Sequence, residues 1–349
     1  MQTTNRPLRR MLAQGALLVI ALWTGCGGED MPASAPKSGK EQPPDPGPGM
    51  NAETPPAGEP AKDEVPAPAI SVAANDPMTR SPMDATPSPK GERVYYTALG
   101  GQAGESQPGV FSVAADGGEI RTLAMGEPLT APVNLSVSLD GKQLYIADPA
   151  AGSVFSLSVE GGTPAVLAGT EGYAPRGLVV ARDPDKREYL YFTGRTPDTQ
   201  LAGLFRIQPS GGAVETVASG EPFADPAGVV VDAKGVAYVV ETTPESATAR
   251  VIRVEAGKTS SFAESIGIGF PAGITVTSDD KTVLVSGLDP EKKRDVVYFV
   301  DTASKEIKRL TKTVGQFNEP AGLHRAHEAD VFAWADSQAN ESGTVYLLK

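Results

Sequence analysis

Three acids recur at one position of a repeated pattern and are the first residues that could do chemistry. Asp148 closes the run Leu144-Tyr-Ile-Ala-Asp148, Glu241 closes Gly235-Val-Ala-Tyr-Val-Val-Glu241, and Asp336 holds the same place in the last copy. The matching residues of the other copies are small: Ala98, Gly194 and Gly287. Carboxylates from alternate repeats of a closed ring would surround its axis. There they offer oxygen ligands to Ca²⁺ or another divalent cation, or a cleft for a cationic ligand. The other reading is that each caps its own strand–loop junction by accepting local backbone N–H groups. Histidine is confined to His324 and His327, in His324-Arg-Ala-His-Glu328. A spacing of three would let both reach one metal from a helix. In an inner strand and its turn they decorate a loop, and His324 serves as a base or ligand contact only if it faces a channel. Arg176 offers an anion contact near the channel mouth or a salt bridge to a neighbouring loop. With Asn134 and His324 it completes the candidate ligand contacts. No nucleophile elbow, phosphate-cradling glycine loop, cysteine–histidine pair or zinc-type cysteine cluster is present.

The elements that must position these residues repeat along the chain. Pro132-Val-Asn134-Leu, Pro175-Arg-Gly177-Leu, Pro226-Ala-Gly228-Val, Pro271-Ala-Gly273-Ile and Pro320-Ala-Gly322-Leu form one corner written five times. From Asn134 through the four glycines the spacings are 43, 51, 45 and 49 residues. A period in the forties made of short strands is the mark of a β-propeller blade. Glycine suits such a corner through backbone freedom or through close approach of neighbouring blades, and asparagine tolerates left-handed backbone better than most residues. After each corner an inner strand leads to a turn such as Asp140-Gly141-Lys142. A second and third strand follow, then a Gly-Gly turn (Gly161-Gly162, Gly211-Gly212) and an outer strand. Arg93-Val-Tyr-Tyr-Thr97 begins strands two to four of an earlier blade, and the chain stops at a third strand, Gly343-Thr-Val-Tyr-Leu-Leu348. The expectation is an all-β, six-bladed propeller of four-stranded antiparallel blades over 91–349, incomplete at both ends. The apolar run Pro68–Ala73 supplies either the first strand of blade one or the outer strand of blade six, closing the ring and removing exposed edges.

Copies of the form Pro-x-Gly-Leu-x-Val…Asp-Gly-Lys-x-Leu-Tyr-x-x-Asp…Gly-Gly resemble the six-bladed propellers of the NHL, YWTD and gluconolactonase-like superfamily over about residues 92–349. That superfamily holds binding modules, scaffolds, lactonases and lyases, so the resemblance speaks to architecture more than to activity. In its lactonase branch a metal-binding aspartate ends a Leu-Tyr-x-x-Asp strand. The resemblance therefore implies Asp148 as a metal ligand. The glutamate from an early inner strand and the asparagine ligands of that branch have no counterpart among the copies. The leading expectation is a non-catalytic ligand- or protein-binding module. The alternative is a metal-dependent lactonase-type hydrolase centred on Asp148, Glu241 and Asp336, or a lyase using His324.

Arg6, Arg9 and Arg10 precede the apolar run Met11–Trp23, which is too short for a comfortable span and reads as an export signal over 1–25. Leu22-Trp-Thr-Gly-Cys26 resembles a bacterial lipobox, with Trp23 where leucine is usual; Cys26, the one cysteine, would carry the lipid. A lone cysteine leaves no intramolecular disulfide. Gly27 and Gly28 follow in place of an inner-membrane retention acid, which favours the outer membrane. Fifteen of the 31 prolines fall between Pro32 and Pro89. Such a segment lacks the apolar surface to offset its ordering entropy, so 26–90 reads as a disordered tether. A net charge of −12 offers no basic face, which argues against nucleic acid and direct adhesion to anionic lipid. The expected state is an exported, lipid-anchored monomer with an envelope protein or small molecule as partner.

Overall fold

The structure is a computed structural model that describes residues 64–65, 69–243, 248–267, 273–289, 294–310 and 320–349. The export signal, Cys26 and most of the proline-rich segment lie outside the described residues, as do Pro271 and the connections 268–272 and 311–319.

Six antiparallel four-stranded sheets stand in a ring, a six-bladed β-propeller. Blade two shows the pattern: Asn134–Val137 lies innermost, then Gln143–Asp148, Ser153–Ser158 and a short outer strand, Ala165–Val166. Its inner pair runs Asn134↔Ala147 to Val137↔Leu144, so the corner and the strand-ending acid share one face of the ring. The turns between first and second strands share the other. Inner strands of blades three to six are Leu178–Arg182, Pro226–Val231, Ile274–Val276 and Pro320–Arg325. The Gly-Gly turns at 117–118, 161–162 and 211–212 all have positive φ, which explains the glycines there.

Both ends of the array are completed from the N-terminal side. Ile70–Ala74 pairs antiparallel with Thr344–Leu348 as the outer strand of blade six, in the register Ile70↔Leu348 and Val72↔Tyr346. The inner strand of blade one is Thr79–Pro87, paired with Arg93–Gly100, so the propeller begins well before the expected residue 91. Prolines hid it. Pro82 and Pro87 mark the segment as linker by composition, yet inner strands lie at a sheet edge, where a missing N–H is tolerated. Read with the corner in mind, Pro82-Met-Asp84-Ala is a sixth copy, placed 50 residues before Asn134. A further short strand, Glu64–Val65, runs parallel to Ile307–Leu310 on the outer edge of blade five.

Six apolar clusters occupy the six seams between blades, and strand alternation sorts side chains between them. In blade one Val94 and Tyr96 face blade six, while Tyr95 joins Leu135, Leu144 and Ile146 of blade two. In blade four Tyr238 and Val240 pack toward blade five and Ala237 and Val239 toward blade three. Blades buried on both faces need apolar residues at successive positions, which is why these strands read as continuous hydrophobic runs.

Candidate functional site

At the corners of blades one, two, three and six the corner residue touches the next blade. Gly177 and Gly322 are not in left-handed backbone, and neither is Asn134, so conformational freedom does not explain them. Close approach does. A Cβ on Gly177 would run into Ala227 of blade four, and one on Gly322 into the carboxylate of Asp84 in blade one. Asn134 is there as an acceptor. Its Oδ1 takes the N–H of Leu178 in blade three at 2.9 Å, and Ser136 Oγ takes that of Val180 at 3.2 Å. At the preceding seam Asp84 does the same, its Oδ2 accepting from Leu135 N at 2.6 Å. The same Oδ2 lies 3.0 Å from Nε2 of His324 in blade six. Asp84 is fully buried and its Oδ1 has no hydrogen-bond partner. This carboxylate is the candidate residue that sequence reading missed; the Pro82-x-Asp84 corner was the signal that could have found it.

Asp148, Glu241 and Asp336 are all fully buried at the corner face, each engaged within its own blade. Asp148 accepts from Thr130 N at 2.7 Å, Ala131 N at 3.0 Å and Ala151 N at 2.9 Å. Glu241 Oε2 accepts from Ala224 N at 2.6 Å, while Arg250 donates to Oε1 at 2.7 Å. Asp336 Oδ1 accepts from Gln338 N at 3.0 Å and Ala339 N at 2.7 Å. Asp148 and Glu241 thus pin the connection entering their own blade's inner strand. Among the described residues no three His, Cys, Asp or Glu side chains gather closely enough to hold a metal ion. Arg176 lies at the same face, where its Nη1 meets Asp225 Oδ1 at 2.5 Å, and the burial that opposes ionisation of Asp225 is outweighed by Arg176 and Thr242, holding its carboxyl below the usual range.

The central channel opens at the opposite face, the one carrying the first turns, in a cavity of about 470 Å³. Every blade contributes an inner-strand side chain: Thr86, Ser136, Val180, Val231, Thr275 and His324. Around the mouth stand Arg182, Lys186, Asp232, Asp280, His327 and Glu328. Neither Asn134 nor Arg176 lines this cavity; of the candidate contacts, His324 does. Burial, reinforced by Asp280, raises the Asp232 carboxyl above its ordinary range. The His324–His327 stretch secures the seam from three sides. His324 meets blade one, Arg325 Nε donates to Val276 O of blade five at 2.8 Å, and His327 Nε2 meets Val137 O of blade two at 2.9 Å.

Comparison of the sequence with protein families and with curated proteins finds no match. Solved structures do match in fold. A chain of a nidogen/laminin complex is 16% identical at a TM-score of 0.52, covering 67% of this chain and 81% of its own. TolB from Acinetobacter baumannii is 14% identical at 0.53, covering 69% and 57%. The PQQ-bound aldose sugar dehydrogenase from Streptomyces coelicolor is 16% identical at 0.56, covering 82% and 99%. At these identities the likeness is one of fold.

Proposed function

We propose that this chain is an envelope-anchored propeller that binds a small molecule in its central channel without transforming it. The observation that carries the reading is the cavity of about 470 Å³, to which all six inner strands contribute. Its size lies in the range of small-molecule pockets, and its wall mixes aliphatic side chains with a few converging polar groups. The carboxylates that suggested metal chemistry are spent on backbone amides at the other face, which favours binding over hydrolysis. The fold neighbours are consistent with such breadth, since propellers serve both recognition and catalysis. The address rests on the sequence: the apolar leader and Cys26 make this an exported lipoprotein, with the outer membrane favoured.

Thermal unfolding of the full chain against a set of small metabolites tests the channel. A ligand at 100 times its dissociation constant stabilises by about 2.7 kcal/mol. Thr275→Trp, which fills the channel with an indole, should abolish that gain. A ligand that stabilises both proteins equally binds elsewhere, and a set with no effect on the native protein refutes the reading. The same melts with EDTA and with excess Ca²⁺ read out the divalent-cation alternative at Asp148, Glu241 and Asp336.

A further inference from the structure

We infer that Asp84 and His324 form a ligand-recognition couple. Asp84 locks the imidazole so that Nδ1 stands in the channel as a hydrogen-bond acceptor for a hydroxyl of an uncharged, hydroxyl-rich small molecule. The inference rests on the channel-binding reading and names the chemistry of that site.

The choice of an acid at residue 84 is the starting point. Holding the seam needs one acceptor for the next blade's N–H, and at the neighbouring corner the amide of Asn134 supplies it. An asparagine at 84 would do that work too, with its NH₂ unpaired in place of Oδ1, so the seam alone does not call for an acid. What asparagine lacks is the charge: its amide oxygen accepts from both partners, but a carboxylate does so more strongly and offers Nε2 no donor in any orientation. Oδ2 of Asp84 lies 2.6 Å from Leu135 N and 3.0 Å from His324 Nε2. An ionised carboxylate only accepts, so the proton of this contact belongs to Nε2. In the neutral ring the lone pair then sits on Nδ1, the tautomer being set by the partner of the other nitrogen. Among the described residues no hydrogen bond engages Nδ1. His324 keeps 7% of its side chain exposed, and it lines the channel cavity.

The rest of the wall suits a hydroxyl-rich molecule. Thr86, Ser136 and Thr275 present hydroxyls, and because Ser136 Oγ already accepts from Val180 N, its own proton is free to be donated. Val180 and Val231 give apolar surface for the carbon skeleton. Arg182 and Lys186 at the mouth are opposed by Asp232, Asp280 and Glu328, so the rim does not select strongly for an ion of either sign. Asp84 touches no ligand in this scheme; it is a positioning residue acting through His324.

The chain has two histidines, so ¹⁵N-histidine labelling of the full chain gives two ring systems to follow. At pH 8 one of them, assigned by His324→Gln, should show Nε2 protonated and Nδ1 bare. In Asp84→Asn the amide oxygen, in the Oδ2 place, still accepts from Leu135 N and from Nε2–H, so this variant should keep the Nε2–H tautomer and controls for charge. Asp84→Ala removes the acceptor, and with its fold checked by the unfolding midpoint its ring should lose that preference and show Nδ1–H as well. Titration with myo-inositol, D-glucose and glycerol as probes should move the Nδ1 signal of the native protein. Affinity should fall about tenfold in Asp84→Ala, the scale of one lost hydrogen bond. A His324 ring protonated at Nδ1 in the native protein, or unchanged in a folded Asp84→Ala, overturns the inference. So does failure of all three probes to move Nδ1. A probe that binds both proteins equally and is excluded by Thr275→Trp leaves channel binding standing while removing the couple; a probe indifferent to Thr275→Trp removes the channel reading itself.

Discussion

A carboxylate buried at a strand end has two uses, and its hydrogen-bond partners decide between them. Glu241 is the clearest case: fully buried, it takes two backbone N–H groups of the connection ahead of its blade and pairs with Arg250. Glu241→Ala leaves those two amides without an acceptor and the Arg250 guanidinium with only the Pro222 carbonyl. Breaking such a pair costs about 3 kcal/mol or more. For a domain of this size that is a fall of about 6 °C in the unfolding midpoint, readable by calorimetry. Lys142→Ala, which removes an exposed pair with Asp140 and leaves the turn's hydrogen bonds to that carboxylate, should leave the midpoint within about 1 °C and serves as the control. His327 makes the pH prediction. Burial, chiefly, with Arg325 and His324 adding to it, holds its ring below the histidine reference of 6.5; the Val137 carbonyl and Glu328 act the other way. The folded pKa is depressed, so the stability tied to the neutral ring is present above 6.5 and is lost as pH falls through the folded value. The unfolding midpoint of the native chain should therefore drop between pH 7.5 and 5.5. In His327→Gln, whose amide can still donate to Val137 O, that part of the slope should vanish; an unchanged slope would acquit His327.

At the scale of the element, the strand Ile70–Ala74 decides how the ring is closed. It is the only partner on the outer side of Thr344–Leu348 among the described residues, and its Ala73 and Ala74 are buried in the seam between blades six and one. Asn75 Nδ2 adds a bond to Gly343 O at 2.8 Å. Removing residues 69–75 exposes that edge and opens the cluster. The expected result is a midpoint lower by several degrees and faster proteolysis within Thr344–Leu348, checked by limited digestion and mass spectrometry. Equal midpoints would mean that the short strand is dispensable and that inner-strand contacts across the His324–Asp84 seam suffice. The same region carries the lesson about boundaries. The apolar run Pro68–Ala73 was legible as a closing strand and is the outer strand of blade six, whereas composition places the stretch after it in a tether because proline is dense there, and that stretch supplies the inner strand of blade one.

For the whole molecule, the ring has one mouth whose acids are consumed by structure and another that opens a mixed polar and apolar cavity. The proposed anchor adds a membrane address. In a bacterial host the full chain should fractionate with membranes and incorporate labelled palmitate, and Cys26→Ser should lose both; a membrane-bound, unlabelled Cys26→Ser protein would refute the lipid attachment. Repetition of Pro-x-Gly corners, Asp-Gly-Lys turns and Gly-Gly hairpins was enough, by itself, to determine the six-bladed ring, because each signal acts within a few residues and recurs at the period of a blade. Pro-x-Gly left backbone freedom and close approach both open, and the structure decided for close approach at Gly177 and Gly322. Which mouth opens a cavity, which partner each buried acid takes, and the meeting of Asp84 with His324 were decided by tertiary structure alone. Those two residues are 240 positions apart and become neighbours only when the last blade closes against the first. No local pattern encodes a contact whose partners are joined by closure of the ring.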